Sequence, residues 1–185
     1  MSLQTTTSQT IGPYLHIGLT WLNTDTIAPP DADGERVRVE GRVIDGLGQP
    51  VSDAMLEIWQ ADDRGRYAHP EDPRSNKAAF RGFGRIPTDA QGRFAFSTVK
   101  PGSVPGPRGE PQAPHLLISL FARGLLKHLV TRLYFPGEPA NDSDAILALV
   151  DPDRRPTLIA RSSADGILTW DIVLQGERET VFFDL

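Results

Sequence analysis

The side chains of this chain that could do chemistry are imidazoles, phenols and carboxylates: His16, His69, His115 and His128, Tyr14, Tyr67 and Tyr134, and 24 Asp and Glu residues, with no cysteine. The lack of cysteine removes disulfides, thiolate zinc sites, iron–sulfur clusters and cysteine nucleophiles together. A metal site is arithmetically possible, yet no two histidines have zinc-like spacing. Tyr67, His69 and His115 make one conceivable donor set. Asp151 and Asp153 flank Pro152 and read as turn formers rather than a catalytic carboxylate pair. No GxSxG, phosphate-binding loop, dinucleotide fingerprint, HExxH or EF-hand pattern occurs, and Gly82-Phe83-Gly84 lacks a third glycine and a following helix. A formal net charge of −5 with scattered Lys and Arg argues against a nucleic-acid partner. No apolar run is long enough for a membrane helix. The start, MSLQTTTSQTIGPY, lacks the basic and apolar segments of an export signal, so a cytoplasmic location is expected.

The elements that must hold these groups are short. Sixteen Pro and 17 Gly divide the 185 residues into brief segments, several of which alternate apolar with polar side chains. Val37, Val39 and Val43 alternate with Arg38, Glu40 and Arg42, which predicts a strand from Val37 to Ile44 with one buried face. Ala54 to Gln60 follows the turn at Asp45-Gly46-Leu47-Gly48, and further strands are expected at 93–99, 115–122, 128–135, 157–161, 168–174 and 179–184. The pattern predicts an all-β fold, a two-sheet sandwich of about eight strands with long loops and one short helix. That helix is placed near Asn141 to Val150, capped by Asn141 or Asp142 and closed by Asp151-Pro152. Trp59, Phe94 and Phe96 fit core spacing, and Phe182, Phe183 and Leu185 suggest a docked C-terminus. The loops Ala61 to Thr88 and Lys100 to Pro114 exceed connector length, as functional loops often do. Residues 1–36 read as an arm laid against the domain or a partner subunit, and 37–185 as the sandwich.

The run from Val39 to Val51 (VEGRVIDGLGQPV), then Leu56-Glu-Ile-Trp-Gln-Ala-Asp62 and Gly65-Arg-Tyr67, resembles the intradiol aromatic-ring dioxygenases. The likeness continues through Phe83-Gly-Arg85, Thr88-Asp89, Gly92-Arg-Phe94, Lys100-Pro-Gly102, Thr131-Arg-Leu-Tyr-Phe135 and Asp171-Ile172, so it covers nearly the whole chain. The family is a β-sandwich that holds one Fe(III) with two tyrosinates and two histidines, hard donors suited to ferric iron. A bidentate catecholate replaces one tyrosinate and is cleaved with O2.

By that resemblance Tyr67 matches the first tyrosine ligand and His115 lies at a histidine position, while Val104 and Leu117 stand where the second Tyr and second His belong. Gln112 matches the position of an arginine that stabilises activated substrate. These losses imply that the chain carries no catalytic residue of its own and binds no metal. They liken it to the alpha-type chain of two-chain members, whose homologous beta chain binds the iron and which assemble as higher-order (αβ)n shells. The implied substrate-binding residues on the alpha side are Thr10, Gly12, Pro13, Tyr14 and Arg132, which complete the partner's pocket. The implied reaction of the complex is cleavage of 3,4-dihydroxybenzoate by O2 to 3-carboxy-cis,cis-muconate. Arg132 could meet the substrate carboxylate, Gly12-Pro13 lets backbone approach a flat ring, and Tyr14 offers an aromatic edge and a hydroxyl. The alternative is a stand-alone sandwich that binds an aromatic acid or acts as a scaffold, without an enzymatic partner. Tyr67 and His115 would in either case persist as hydrogen-bonded packing residues.

Overall fold

The computed structural model describes residues 11–12, 14–74, 80–106 and 108–184. Thr10 and Pro13 of the expected arm contacts, and Leu185, lie outside the described residues. The alternation at the start of the sandwich domain forms β1 (Arg36–Ile44), with Val39 and Val43 buried and Arg38 and Arg42 exposed. It pairs antiparallel with β4 (Arg93–Val99) from Arg36↔Val99 to Arg42↔Arg93. Its other edge takes β10 (Leu168–Thr169) and then β11 (Ile172–Val173), both parallel, and β9 (Arg161–Ser162) extends the sheet beyond β10. Gly41 sits where the partner changes. A Cβ there would lie 1.8 Å from the Trp170 carbonyl oxygen, so only glycine lets the two backbones meet. The Asp171 carboxylate then accepts the Arg42 backbone N–H at 3.0 Å.

The second sheet is antiparallel, in the order β3 (Phe83–Pro87), β2 (Met55–Trp59), β7 (His115–Phe121), β8 (Leu129–Tyr134). Period-two alternation sends Leu56, Ile58, Leu116, Ile118, Leu120 and Leu133 inward. There they meet Val39, Val43, Phe94, Phe96 and Ile172 of the first sheet in one apolar cluster. This is the expected two-sheet sandwich. A two-stranded ladder, β5 (Val104–Pro105) with β6 (Pro111–Gln112), lies between β4 and β7 in the chain. Ahead of β1, residues 24–27 lace the two sheets together: Thr24 N–H donates to Arg85 O, and Ile27 N–H to Ser97 O.

Four expectations change. β3 was expected to be loop because Gly84 and Pro87 punctuate it, but it ladders only with β2 and takes a single bridge, Thr24↔Arg85, on its other edge, where both residues are tolerated. Residues 141–150 form no α-helix. They fold as two 3-10 turns, Pro139–Ser143 and Leu147–Leu149, because Asp144 takes an extended conformation and its carboxylate accepts the backbone N–H groups of Ile146 and Leu147. The cap is Glu138, which accepts from Ala140 N. The one α-helix among the described residues is α1 (Tyr14–Gly18), in the arm. Of the strands expected at 157–161 and 179–184, the structure keeps isolated bridges, Tyr134↔Ile159 and Val130↔Phe183, the first preceded by a 3-10 turn at Arg155–Leu158. No helix among the described residues is long and apolar enough to cross a membrane.

Candidate functional site

The candidate site lies on the outer face of the β3–β2–β7–β8 sheet. Since Leu116 and Ile118 point inward, His115 and Leu117 point outward, and the register places Trp59, Leu117 and Arg132 in one row with His115 opposite Tyr134 in the next. The sequence reading placed Trp59 in the core. It belongs instead with Glu57 on the opposite face from Leu56 and Ile58, and its ring stacks on Tyr67 at a centroid distance of 5.9 Å and an interplanar angle of 3°.

Tyr67 reaches this face from the segment that follows β2. Asp62 folds that segment: its carboxylate accepts the backbone N–H groups of Arg64 and Arg66 and pairs with the Arg66 guanidinium at 2.7 Å, while its carbonyl accepts from Gly65 and Gly102. Gly65 has a φ of +70°, and a Cβ on it would meet Ser103 O at 1.9 Å. This close approach ties the segment carrying Tyr67 to the one carrying Val104. The Tyr67 N–H donates to Asp72 at 2.9 Å, and Asp72 pairs with Arg74 at 3.0 Å. The Arg74 hydrogen bonds, with the Tyr67 N–H second, hold the Asp72 carboxyl down to about 2 against an ordinary value of 3.8. A carboxyl depressed on folding stabilises the native state above its unfolded value, and that contribution is lost as pH falls through the folded one. The difference in unfolding free energy between wild type and Asp72→Asn should therefore be constant above about pH 4 and shrink as pH falls toward about 2. Denaturant titrations across that window read it, and a difference independent of pH would contradict the assignment.

His115 is 7% exposed. Its Nδ1–H donates to Ala113 O at 2.7 Å, which leaves Nε2 as an acceptor. Burial first, and the charge of Arg132 second, push the imidazole down to about 4, so it is neutral at pH 7. Arg132 Nη1 donates to Gln112 Oε1 at 2.7 Å and reaches Tyr134 Oη at 3.4 Å. The Tyr134 hydroxyl donates to Asp144 at 3.1 Å, and Asp144, 1% exposed, also accepts from Ala113 N at 2.8 Å. Burial pushes the phenols of Tyr67 and Tyr134 up, and Arg132 pulls both back. Beside Tyr67 a cavity of about 670 Å³ is lined by Trp59, Tyr67, His69, Asp72, Arg74 and Pro105, among others.

A family model described as Dioxygenase matches residues 12–176. This chain belongs to the intradiol ring-cleavage dioxygenase family. It is similar to the protein named protocatechuate 3,4-dioxygenase alpha chain from Pseudomonas putida, at 47% identity over 98% of this chain and 97% of that one. The alpha chain of the same name from Burkholderia cepacia is 44% identical, over 100% and 99%. Among solved structures, the dioxygenase domain of a dioxygenase carbohydrate-binding fusion from Streptomyces sp. SirexAA-E matches with a TM-score of 0.64 and 30% identity, covering 86% of this chain and 89% of that one.

Members of this intradiol family typically depend on Fe(III), and the side chains in this intradiol chain do not fit such an ion. Val104 and Leu117 carry no donor atom, and Leu117 stands directly across from the cationic Arg132. Among the described residues no group of three or more His, Asp or Glu side chains converges as a metal site, and His69 lies beside Glu71 at 4.0 Å. The structure thus brings Leu117, Gln112, His115 and Arg132 onto one face with Val104 opposite Gln112, and carries Tyr67 to Trp59 at its edge. Of the arm residues, Gly12 is exposed and Tyr14 is 77% exposed on α1. Sequence reasoning missed Asp144 and Tyr134, whose only local signal was absorbed into the expected helix and strand.

Proposed function

We propose that this chain is the non-iron-binding alpha subunit of a protocatechuate 3,4-dioxygenase, whose homologous beta chain holds the ferric ion, and that the two build a higher-order cytoplasmic (αβ)n enzyme. In the intact enzyme 3,4-dihydroxybenzoate takes up both atoms of O2 between its hydroxylated carbons and leaves as 3-carboxy-cis,cis-muconate. The observation that carries the reading is that Val104 and Leu117, without donor atoms, stand at two donor positions and Gln112 at the arginine position, while Tyr67 and the buried His115 remain. Similarity to the beta chain of the Burkholderia cepacia enzyme, 40% identical over 80% of this chain, supports a homologous partner. So does the apolar face of the arm: Tyr14, Ile17 and Trp21 are each about three-quarters exposed, an arrangement suited to burial against another subunit.

In this reading residues 1–36 form the partner-contacting arm and 37–185 the sandwich. Thr10, Gly12, Pro13 and Tyr14 close the partner's substrate pocket, and Arg132 meets the substrate carboxylate. Arg132 suits that task because only Nη1 is engaged with protein acceptors among the described residues, which leaves Nε and Nη2 to donate. The test is Tyr14→Ala in the assembled enzyme. A kcat/KM about 10-fold lower with unchanged iron content is expected, the loss of one well-placed contact to bound substrate. Unchanged kcat/KM would remove the arm from the pocket.

A further inference from the structure

The disagreement between this site and a ferric ion extends beyond the two missing donors. We infer that, in the chain without its partner, Arg132 is the resident cation of this chain's own degenerate site, standing in for the metal and excluding it. The inference takes the ligand positions from family membership and is independent of any partner chain.

Two observations carry it. First, the register puts Arg132 directly across from Leu117 on the same face of the sheet, so its side chain enters the space that a second histidine donor would share with a metal. Second, the guanidinium is held there rather than swung to solvent. Gln112 Oε1 accepts from it at 2.7 Å, and Gln112 is itself buried, with its own Nε2 reaching Pro105 O at 3.4 Å. Tyr134 Oη lies 3.4 Å from the same Nη1 and is fixed in turn by the buried Asp144.

A second cation in this space would face like-charge repulsion from the half-buried guanidinium.

The consequence is that restoring donors alone does not restore metal binding. The experiment uses the full chain, without partner, as Val104→Tyr/Leu117→His and as the same pair combined with Arg132→Met or Arg132→Lys. Added Fe(III) is followed by metal content after desalting and by the visible absorption of ferric tyrosinate, and thermal melts verify folding. The Arg132→Met combination should bind one Fe(III) per chain at least about 100-fold more tightly than the double variant, and the Lys combination should behave as the double variant. Equal affinity in the double variant and the Met combination, whether both bind or neither does, overturns the inference. If the Met combination is unfolded, Arg132→Gln, which retains a hydrogen bond toward Gln112, takes its place under the same criterion. Failure here would leave the subunit assignment untouched, since that is read from activity with the partner.

Discussion

Replacing Asp144 by Ala is expected to destabilise the chain by about 4 kcal/mol, far above the usual cost of a point change. Its carboxylate is almost wholly buried and accepts four hydrogen bonds: from the N–H groups of Ala113, Ile146 and Leu147 and from the Tyr134 hydroxyl. Truncation leaves these donors buried without a partner, and each such group costs about 1–3 kcal/mol unless water or rearrangement relieves it. Asp144→Asn keeps the shape but loses the charge and one acceptor oxygen, so about half the loss is expected. Urea unfolding of the full chain measures both. A loss below about 1 kcal/mol for the Ala variant would mean that the segment from Asp144 to Leu147 refolds freely and does not anchor Tyr134.

The second large effect is on substrate selection. Arg132→Met in the assembled enzyme should lower kcat/KM for 3,4-dihydroxybenzoate by about 100-fold, the upper range for a charge-assisted hydrogen bond to a carboxylate in a partly buried site. Catechol, which has the two hydroxyls but no carboxylate, should change by less than about threefold. Equal losses on both substrates would assign Arg132 to packing rather than to the anion. Iron content of the assembled enzyme should stay constant, because the ferric ion of the proposal sits on the partner.

The sandwich was largely legible because its signal is local. Val39 and Val43 alternate with charged residues, and Leu116, Ile118 and Leu120 alternate on β7, so the inward face can be counted along the chain. β3 was not, because Gly84 and Pro87 are loop formers everywhere except on an edge, and which strand is an edge is decided by long-range pairing. Asp144 shows a different limit. A carboxylate beside a run of helix formers is the usual sign of a helix start, yet here the same hydrogen-bonding ability breaks the helix into two turns and fastens Tyr134 and Ala113. Trp59 could have been placed correctly, since it shares parity with Glu57 rather than with Leu56 and Ile58.

For the site, the proposed losses at Val104, Leu117 and Gln112 come from family resemblance, because a missing donor needs no geometry to suggest. The role of Arg132 inside this chain was not. An arginine at an outward strand position reads as a solvated residue until the β7–β8 register sets it across from Leu117 and the β5–β6 ladder brings Gln112 to its guanidinium. Tyr67 and His115 each have partners within this chain. One stacks on Trp59, and the other is neutral and hydrogen-bonded to Ala113 O.

The measurement that bears most directly on the subunit assignment is oxygen consumption with 3,4-dihydroxybenzoate by the full chain alone and by the chain co-purified with a homologous beta-type partner, each with its iron content determined. The assignment predicts no substrate-dependent uptake and no stoichiometric iron for the chain alone, and ring cleavage with one O2 per substrate once the partner is present. Stoichiometric ferric iron together with turnover by this chain alone would contradict it.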